Sequence, residues 1–273
     1  MPRYPERIVC LTEETTETLY LLGEERRIVG ISGYTVRPPR ARREKPRVSA
    51  FLNAKTEKIL ELKPDLVLGF SDLQADIARD LARAGLNIMI FNQRTVDEIL
   101  SMILTLSSLV GAAGKGEKLI RDLEANLESI RNNSKNFARR PKVYFEEWDE
   151  PMISAIRWVS ELVEIAGGQD VFKERSFSQS ASGRIVADGG EVVRSRPDVI
   201  LGSWCGKKFR PEKVAARPGW DAIPAVKNGQ LHEIKSADIL QPGPAALTDG
   251  VRRIHEILTE SLRPSPRTRR PGA

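Results

Sequence analysis

The sequence has few residues of the types that metal binding and catalysis use most often. Its 273 residues include two cysteines and two histidines. Neither His232 nor His255 lies at ligand spacing from another histidine or from a cysteine, so the pattern of a metal site is missing. The motifs Gly-x-Ser-x-Gly, Gly-x4-Gly-Lys and His-Glu-x-x-His are missing too. We therefore expect no enzyme of these classes, no catalytic cofactor and no metal held by the protein's own side chains.

Long apolar segments are also missing. The apolar stretches at residues 66–70 and 86–91 are far shorter than the roughly 20 residues that cross a bilayer, so no membrane insertion is expected. Residues 1–7 lead directly into the apolar run 8–11, without the longer apolar region of an export signal. This N-terminus predicts a cytoplasmic protein. A periplasmic or cell-surface location is the alternative, if a signal was removed from the sequence.

The basic residues are not concentrated in one strip. The formal net charge is +6 and the isoelectric point is near 9.4. Clusters occur at residues 37–47 and in the tail at 263–270, and neither cluster has interleaved aromatic residues. We therefore predict no binding of nucleic acid. The tail, residues 263–273, is rich in proline, serine and arginine and is predicted to be disordered.

Two segments of the chain share one pattern. Residues 58–69, Lys-Ile-Leu-Glu-Leu-Lys-Pro-Asp-Leu-Val-Leu-Gly, align without a gap with residues 191–202, Glu-Val-Val-Arg-Ser-Arg-Pro-Asp-Val-Ile-Leu-Gly. In each copy a helix is predicted to end before the proline, because the residue that precedes a proline is pushed out of the α region. The apolar run that follows is typical of a parallel strand covered on both faces. The same helix-strand unit is therefore predicted twice.

Strands and helices are predicted to alternate in both halves. This favours an α/β fold with parallel sheets flanked by helices. We predict an N-terminal lobe at residues 1–93, a bridging helical segment at 94–137 with a break at 111–116, and a C-terminal lobe at 138–262. The other predicted strands are 7–11, 28–31, 87–91, 142–146 and 230–234, and the other predicted helices are 16–22, 73–84, 159–166 and 245–262.

Several short segments occur in a specific order and spacing. They are Arg7-Ile-Val-Cys-Leu11 with Thr16 and Glu17, residues 58–69, 166–172, 196–201 and 219–229, and Pro242-Gly-Pro244. Together they resemble the metal-chelate-binding substrate proteins of ABC importers, and within that family the cobalamin-binding branch. The resemblance implies a class III periplasmic-binding-protein-like fold, with two similar lobes joined by one long helix. It also implies a corrinoid, haem or ferric siderophore held in the cleft between the lobes.

The loops after the carboxyl ends of parallel strands are where ligands of α/β sheets bind. A flat macrocycle needs apolar rings around it and a few polar groups at its edge. Phe70 and Trp204 follow the two copies of the repeated strand, so we predict that their rings face one another across the cleft. At least two of the candidate rings are expected to pack in a core instead. The predicted ligand-binding residues are Tyr34, Phe51, Phe70, Trp148, Trp204 and Ser236.

Several charged or metal-binding features have two interpretations. The basic stretch 37–47 is expected to be solvated, with contact to an acidic ligand edge as the alternative. The acidic strand end Glu146–Glu150 is expected to be exposed, with a metal or cationic group as the alternative. His255 is expected on a solvated helix face, and His232 and Cys205 are weak candidates for a metal ligand.

The function predicted from these features is non-catalytic binding of cobalamin or a related corrinoid, with an ABC permease as a potential partner. The resemblance implies docking through one acidic residue on each lobe. Asp76 matches the first of these positions, and Glu212 is the candidate for the second. A cytoplasmic carrier or sensor of a corrinoid, siderophore or haem is the alternative. A tetrapyrrole metal chelatase is a further alternative.

Overall fold

The computed structural model of the protein describes residues 3–50 and 54–263. The chain forms two compact units. Unit 1 contains the chain up to Asn126 together with Ala237–Asp249, and unit 2 contains Leu127–Ser236 together with the chain from Gly250. Each unit has a sheet of its own. The predicted disordered tail lies outside the described residues, apart from Arg263.

The sheet of unit 1 is parallel throughout. Its strands are β1 (Ile8–Cys10), β2 (Ile28–Ser32), β3 (Arg47–Ser49), β4 (Leu66–Phe70) and β5 (Ile88–Phe91). They pair in the order β3-β2-β1-β4-β5. Every residue of β1 and β4 is buried, as a parallel strand with both faces covered requires. Burial on both faces explains why the sequence is apolar without interruption along these two strands.

The helices of unit 1 alternate with these strands. They are α1 (Glu13–Leu21), α2 (Ala41–Glu44), α3 (Thr56–Glu61), α4 (Ala75–Arg83) and α5 (Val96–Leu109). Helix α5 begins with a capping box, in which Thr95 and Glu98 each accept the other's backbone N–H. The next helix, α6 (Ala113–Ser134), begins in unit 1 and ends in unit 2. The break between α5 and α6 therefore lies at residues 110–112, which overlaps the start of the predicted break at 111–116.

The sheet of unit 2 contains one antiparallel pair. Its strands are β6 (Lys142–Asp149), β7 (Met152–Ser154), β8 (Gln169–Asp170), β9 (Val199–Gly202) and β10 (Leu231–Glu233). They pair in the order β10-β9-β6-β7, and β8 pairs with the start of β6. Strands β6 and β7 are antiparallel, whereas the sequence predicts parallel sheets and no strand at the position of β7. The turn Glu150-Pro151 between them is too short for a parallel crossover.

The helices of unit 2 are short, apart from the first and the last. They are α7 (Arg157–Ile165), α8 (Gly189–Ser195), α9 (Pro211–Ala215), α10 (Pro224–Lys227), α11 (Ser236–Ile239), which crosses into unit 1, and α12 (Val251–Ser261). A π-helical segment, Ala246–Gly250, precedes α12, so the predicted helix 245–262 has two parts. Within the described part of the chain, no helix has both the length and the apolar character needed to cross a bilayer.

The duplicated sequence pattern has the same backbone in both units. Lys63 and Arg196, the residues before the two prolines, have φ values of 47° and 50° in the left-handed region. A left-handed residue cannot continue an α-helix, so each helix ends before its proline. The aspartate after each proline anchors the neighbouring strand. Asp65 accepts the N–H groups of Glu6 and Arg7, and Asp198 accepts the N–H of Lys142. The Pro-Asp pair thus aligns β4 with β1, and β9 with β6.

Candidate functional site

The carboxyl end of β6 contains a completely buried carboxylate. Glu146 accepts two hydrogen bonds from the guanidinium of Arg217, at 2.6 and 3.0 Å, and one from the indole of Trp204, at 3.1 Å. The hydroxyl of Tyr144 donates to it at 3.0 Å. Burial raises the pKa of Tyr144 well above its usual value, so this hydroxyl remains a donor. Glu146 therefore has a partner for each of its oxygens.

A lysine joins the two tryptophans near this strand end. The ammonium group of Lys207 lies 4.1 Å from the ring centre of Trp148 and 5.1 Å from that of Trp204. It also pairs with the carboxylate of Asp149. A cation over aromatic faces is an attractive contact. Lys207 therefore holds two of the predicted ligand-binding rings, Trp148 and Trp204, against one charged group.

Apart from Glu150, the acidic strand end Glu146–Glu150 is not exposed as expected. Glu146, Glu147 and Asp149 are buried or half-buried. Glu147 pairs with Arg184, which is itself fully buried, and Glu146 and Asp149 have the cationic partners described above. A buried carboxylate is tolerated only when it is paired or hydrogen-bonded. The cations come from distant parts of the chain, which local sequence inspection does not reveal.

A pocket of about 300 Å³ lies at the carboxyl ends of β9 and β10, within unit 2. Two predicted ligand-binding residues, Trp204 and Ser236, line it together. The sequence analysis missed its lysines, because a loop lysine has no motif that separates it from an ordinary surface lysine. The complete lining is Trp204, Gly206, Lys207, Lys208, Glu233, Ile234, Lys235 and Ser236.

The ring of Trp204 is largely buried within unit 2. It is 4% exposed, and it packs edge-on against Phe209 with ring centres 5.0 Å apart. This burial counts against the predicted clamp, in which the ring lies open to a flat ligand. Replacing a buried tryptophan by alanine typically costs about 3–5 kcal/mol. A Trp204→Ala change is therefore expected to destabilise unit 2 strongly, apart from any effect on ligand binding.

The predicted aromatic residues of unit 1 differ in exposure. Phe70 is 7% exposed at the end of β4, and the guanidinium of Arg94 lies 4.7 Å from its ring centre. Its burial also counts against the clamp. Tyr34, in the loop after β2, is 57% exposed. Phe51 lies outside the described residues. Of the two predicted rings of unit 1 that are described, Tyr34 is thus the one that is exposed.

Unit 1 also contains buried carboxylates that the sequence analysis missed. Glu13 and Glu14 open α1, directly after the carboxyl end of β1, and both are buried. Burial raises the pKa of each to about 7. Glu14 accepts a hydrogen bond of 2.6 Å from the hydroxyl of Thr12. Burial also raises the pKa of Glu17, one turn later. The only sequence signal is an acidic group that directly follows an apolar strand.

The first arginine of the basic stretch 37–47 has a structural role. Arg37 contacts Glu17 at 2.9 Å, Asp238 at 3.0 Å and Asp249 at 2.8 Å, all within unit 1. Its guanidinium is therefore engaged by three carboxylates, although the side chain is 29% exposed, and it is not free to pair with an acidic ligand. Two of its partners lie some 200 residues away along the chain, so the contact has no local signal.

The histidines do not form a metal site. The Nε2 atom of His232 lies 2.9 Å from the amide oxygen of Gln230. His255 is not on a solvated face as expected, because its Nδ1 donates to the carbonyl of Ala166 at 3.0 Å and its ring stacks on Phe137. Among the described residues, no group of three or more His, Cys, Asp and Glu side chains is arranged to hold a metal ion. Cys205 is exposed and forms no disulfide.

The predicted docking residues are both at the surface. The side chain of Asp76 is 85% exposed on the first turn of α4, where it pairs with Arg79. The side chain of Glu212 is 67% exposed on the first turn of α9. Each unit therefore presents one of the two carboxylates to solvent, and their role in docking stays a prediction.

Comparison with known proteins gives a consistent family. Residues 8–237 match the family described as periplasmic binding protein. One relative is an uncharacterized ABC transporter substrate-binding lipoprotein of Bacillus subtilis. The two sequences are 25% identical, and the alignment covers 95% of this chain and 81% of the relative. Another relative is a vitamin B12-binding protein of Vibrio cholerae. It is 27% identical to this chain, and the alignment covers 91% of this chain and 87% of the relative. The crystal structure of a periplasmic vitamin B12 binding protein of Vibrio cholerae matches 96% of this chain and 100% of that chain, with a TM-score of 0.75 and 25% identity.

Proposed function

Because the chain belongs to the periplasmic binding protein family, we propose that it binds a metal chelate without turnover, with cobalamin or a related corrinoid as its ligand. The match of residues 8–237 to this family is the observation that carries the proposal. The pocket of about 300 Å³ at the carboxyl ends of β9 and β10 supports it as a place for one part of the ligand, since ligands of parallel sheets bind at that edge. The choice of a corrinoid is supported by the relative named a vitamin B12-binding protein. Among the predicted ligand contacts that the structure describes, those that are not buried are Tyr34, Trp148 and Ser236.

We place the protein outside the cytoplasm, as a binding component of an ABC importer. The relatives include a lipoprotein and a periplasmic protein, which supports the periplasmic or cell-surface alternative and not the cytoplasmic location. Asp76 and Glu212 would then contact the permease. Transfer of the ligand to a permease, and not its chemical conversion, would be the purpose of binding.

The test is titration calorimetry of the purified chain with cobalamin, cobinamide, haem and a ferric siderophore. We expect one corrinoid to bind per chain with a Kd below about 1 μM, and its absorption spectrum to show no conversion to a product. Binding of haem alone would replace the corrinoid as the ligand. No binding of any of the four, or turnover of one of them, would overturn the proposed function.

A further inference from the structure

The pocket of unit 2 has more positive than negative charge. Three of its lining residues are lysines, Lys207, Lys208 and Lys235, and one is acidic, Glu233. Lys207 already pairs with Asp149. One carboxylate oxygen of Glu233 accepts the backbone N–H of Phe209 at 3.1 Å. With Lys207 paired, Lys208 and Lys235 outweigh the single negative charge of Glu233, so the pocket keeps a net positive charge.

Lys208 and Lys235 are available to a ligand. Both are exposed, and neither has an ion pair within the described ranges 3–50 and 54–263. Lys208 belongs to the loop after β9 and Lys235 to the segment after β10, so they come from neighbouring strands of one sheet. These two lysines, on neighbouring strand ends, line one pocket together with Ser236. This is a set of hydrogen-bond donors with a net positive charge.

The chemistry of this set favours an anion. Hydrogen bonds between an ammonium group and an ionised oxygen are about twice as strong as neutral ones. A phosphate or carboxylate would be attracted by Lys208 and Lys235, and the Ser236 hydroxyl would add a neutral donor. One carboxylate oxygen of Glu233 is engaged with the Phe209 backbone, so Glu233 has one oxygen left that could pair with these lysines in place of the ligand. A neutral acceptor would form weaker hydrogen bonds with the same donors, and a cationic group would be repelled by the two ammonium groups.

We infer that this pocket binds an anionic group of the chelate, a phosphodiester or a carboxylate, and so selects anionic chelates over analogues that lack the group. The inference rests on the proposed function, since it names the part of the ligand that unit 2 recognises. Cobalamin contains a phosphodiester in its nucleotide, and cobinamide lacks that nucleotide. Haem contains propionate carboxylates, and its dimethyl ester has none. These pairs distinguish the two possible sources of the anion.

The experiment compares each pair of ligands on the full chain and on the double variant Lys208→Gln, Lys235→Gln. We expect the parent to bind the anionic member of a pair about tenfold more tightly at low salt, and the double variant to lose this preference. The preference should also shrink as salt is added, because the lysines are exposed. Lys207 stays unchanged, so that its contacts with Trp148 and Trp204 are kept.

The matched control is Lys227→Gln. Lys227 is an exposed lysine of unit 2, but it ends α10 on the side where β10 begins, away from the pocket. This variant should bind both members of each pair as the parent does. Equal binding of both members by the parent, or an unchanged preference in the double variant, overturns the inference and leaves the proposed function standing. Absence of binding by all four ligands overturns both.

Discussion

The environment of Glu146 shows how one residue organises the ligand side of unit 2. Its carboxylate is completely buried. It joins β6 to Trp204, in the loop after β9, and to Arg217, after α9. Two charges taken out of water are stabilised only while both are present and hydrogen-bonded. The position of the Trp204 ring, and with it one wall of the pocket, therefore depends on an ion pair.

Removing the cation of this pair should destabilise the fold strongly. We expect Arg217→Met to lower the free energy of unfolding by about 3–5 kcal/mol, because Glu146 would remain buried without its partner. Urea unfolding followed by circular dichroism measures the change. Arg194→Met is the control, since Arg194 forms an exposed ion pair with Asp188 and should cost less than about 1 kcal/mol. Equal losses in the two variants would contradict the structural role of Arg217.

At the scale of elements, α1 is unusual because its first turn is acidic and buried. Acidic residues in a first turn interact favourably with the helix dipole, but burial of Glu13 and Glu14 outweighs that contribution and raises each pKa to about 7. The folded chain therefore binds more protons than the unfolded chain between pH 4.5 and 7, where the exposed carboxylates of an unfolded chain are already ionised. Protonation of α1 is thus coupled to folding.

The sign of this coupling predicts that stability falls as pH rises. Stability from these two groups is complete below the unfolded pKa and is lost by about pH 7. We expect a loss of a few kcal/mol from pH 5 to pH 7.5, measured as the free energy of unfolding in urea. The double variant Glu13→Gln, Glu14→Gln should flatten the profile. Glu57→Gln with Glu61→Gln, two exposed residues of α3, should leave it unchanged. The same slope in both double variants would exclude α1 as its origin.

At the scale of the whole molecule, the proposed function requires a surface for the permease as well as a pocket for the ligand. Asp76 and Glu212 lie on helices of different units, and both carboxylates are open to solvent. Charges at the rim of an interface act mainly on association and on its salt dependence. Docking should therefore be separable from ligand binding.

Replacing the carboxylates of Asp76 and Glu212 should strongly reduce import and leave ligand binding unchanged. We expect Asp76→Ala with Glu212→Ala to reduce uptake of labelled cobalamin into vesicles containing a candidate permease by about tenfold or more. Calorimetry should give the parent's Kd for the same variant. Asp122→Ala with Glu128→Ala, two exposed acids of α6, should transport normally. Unchanged transport by the Asp76 and Glu212 variant would exclude docking through these residues.

The sequence by itself determined the repeated architecture, because its signals are local. Pro64 and Pro197 end helices through steric contacts with the residue before them, and the apolar runs after them are long enough to be buried strands. The Pro-Asp pairs align β4 and β9 with their neighbours from the same short segments. The antiparallel pair of β6 and β7 was not predicted, since the turn at Glu150-Pro151 does not differ from an ordinary loop in composition.

Only the tertiary structure decided which charged residues are buried and which rings are open. Glu146 meets Arg217 across 71 residues of sequence, and the buried Arg184 meets Glu147 across 37. Such pairs form because a buried charge needs an opposite charge within hydrogen-bond distance, and the fold alone determines which one is near. The same holds for Trp204, which is buried against Phe209, and for Lys208 and Lys235, which neighbouring strands bring to one pocket.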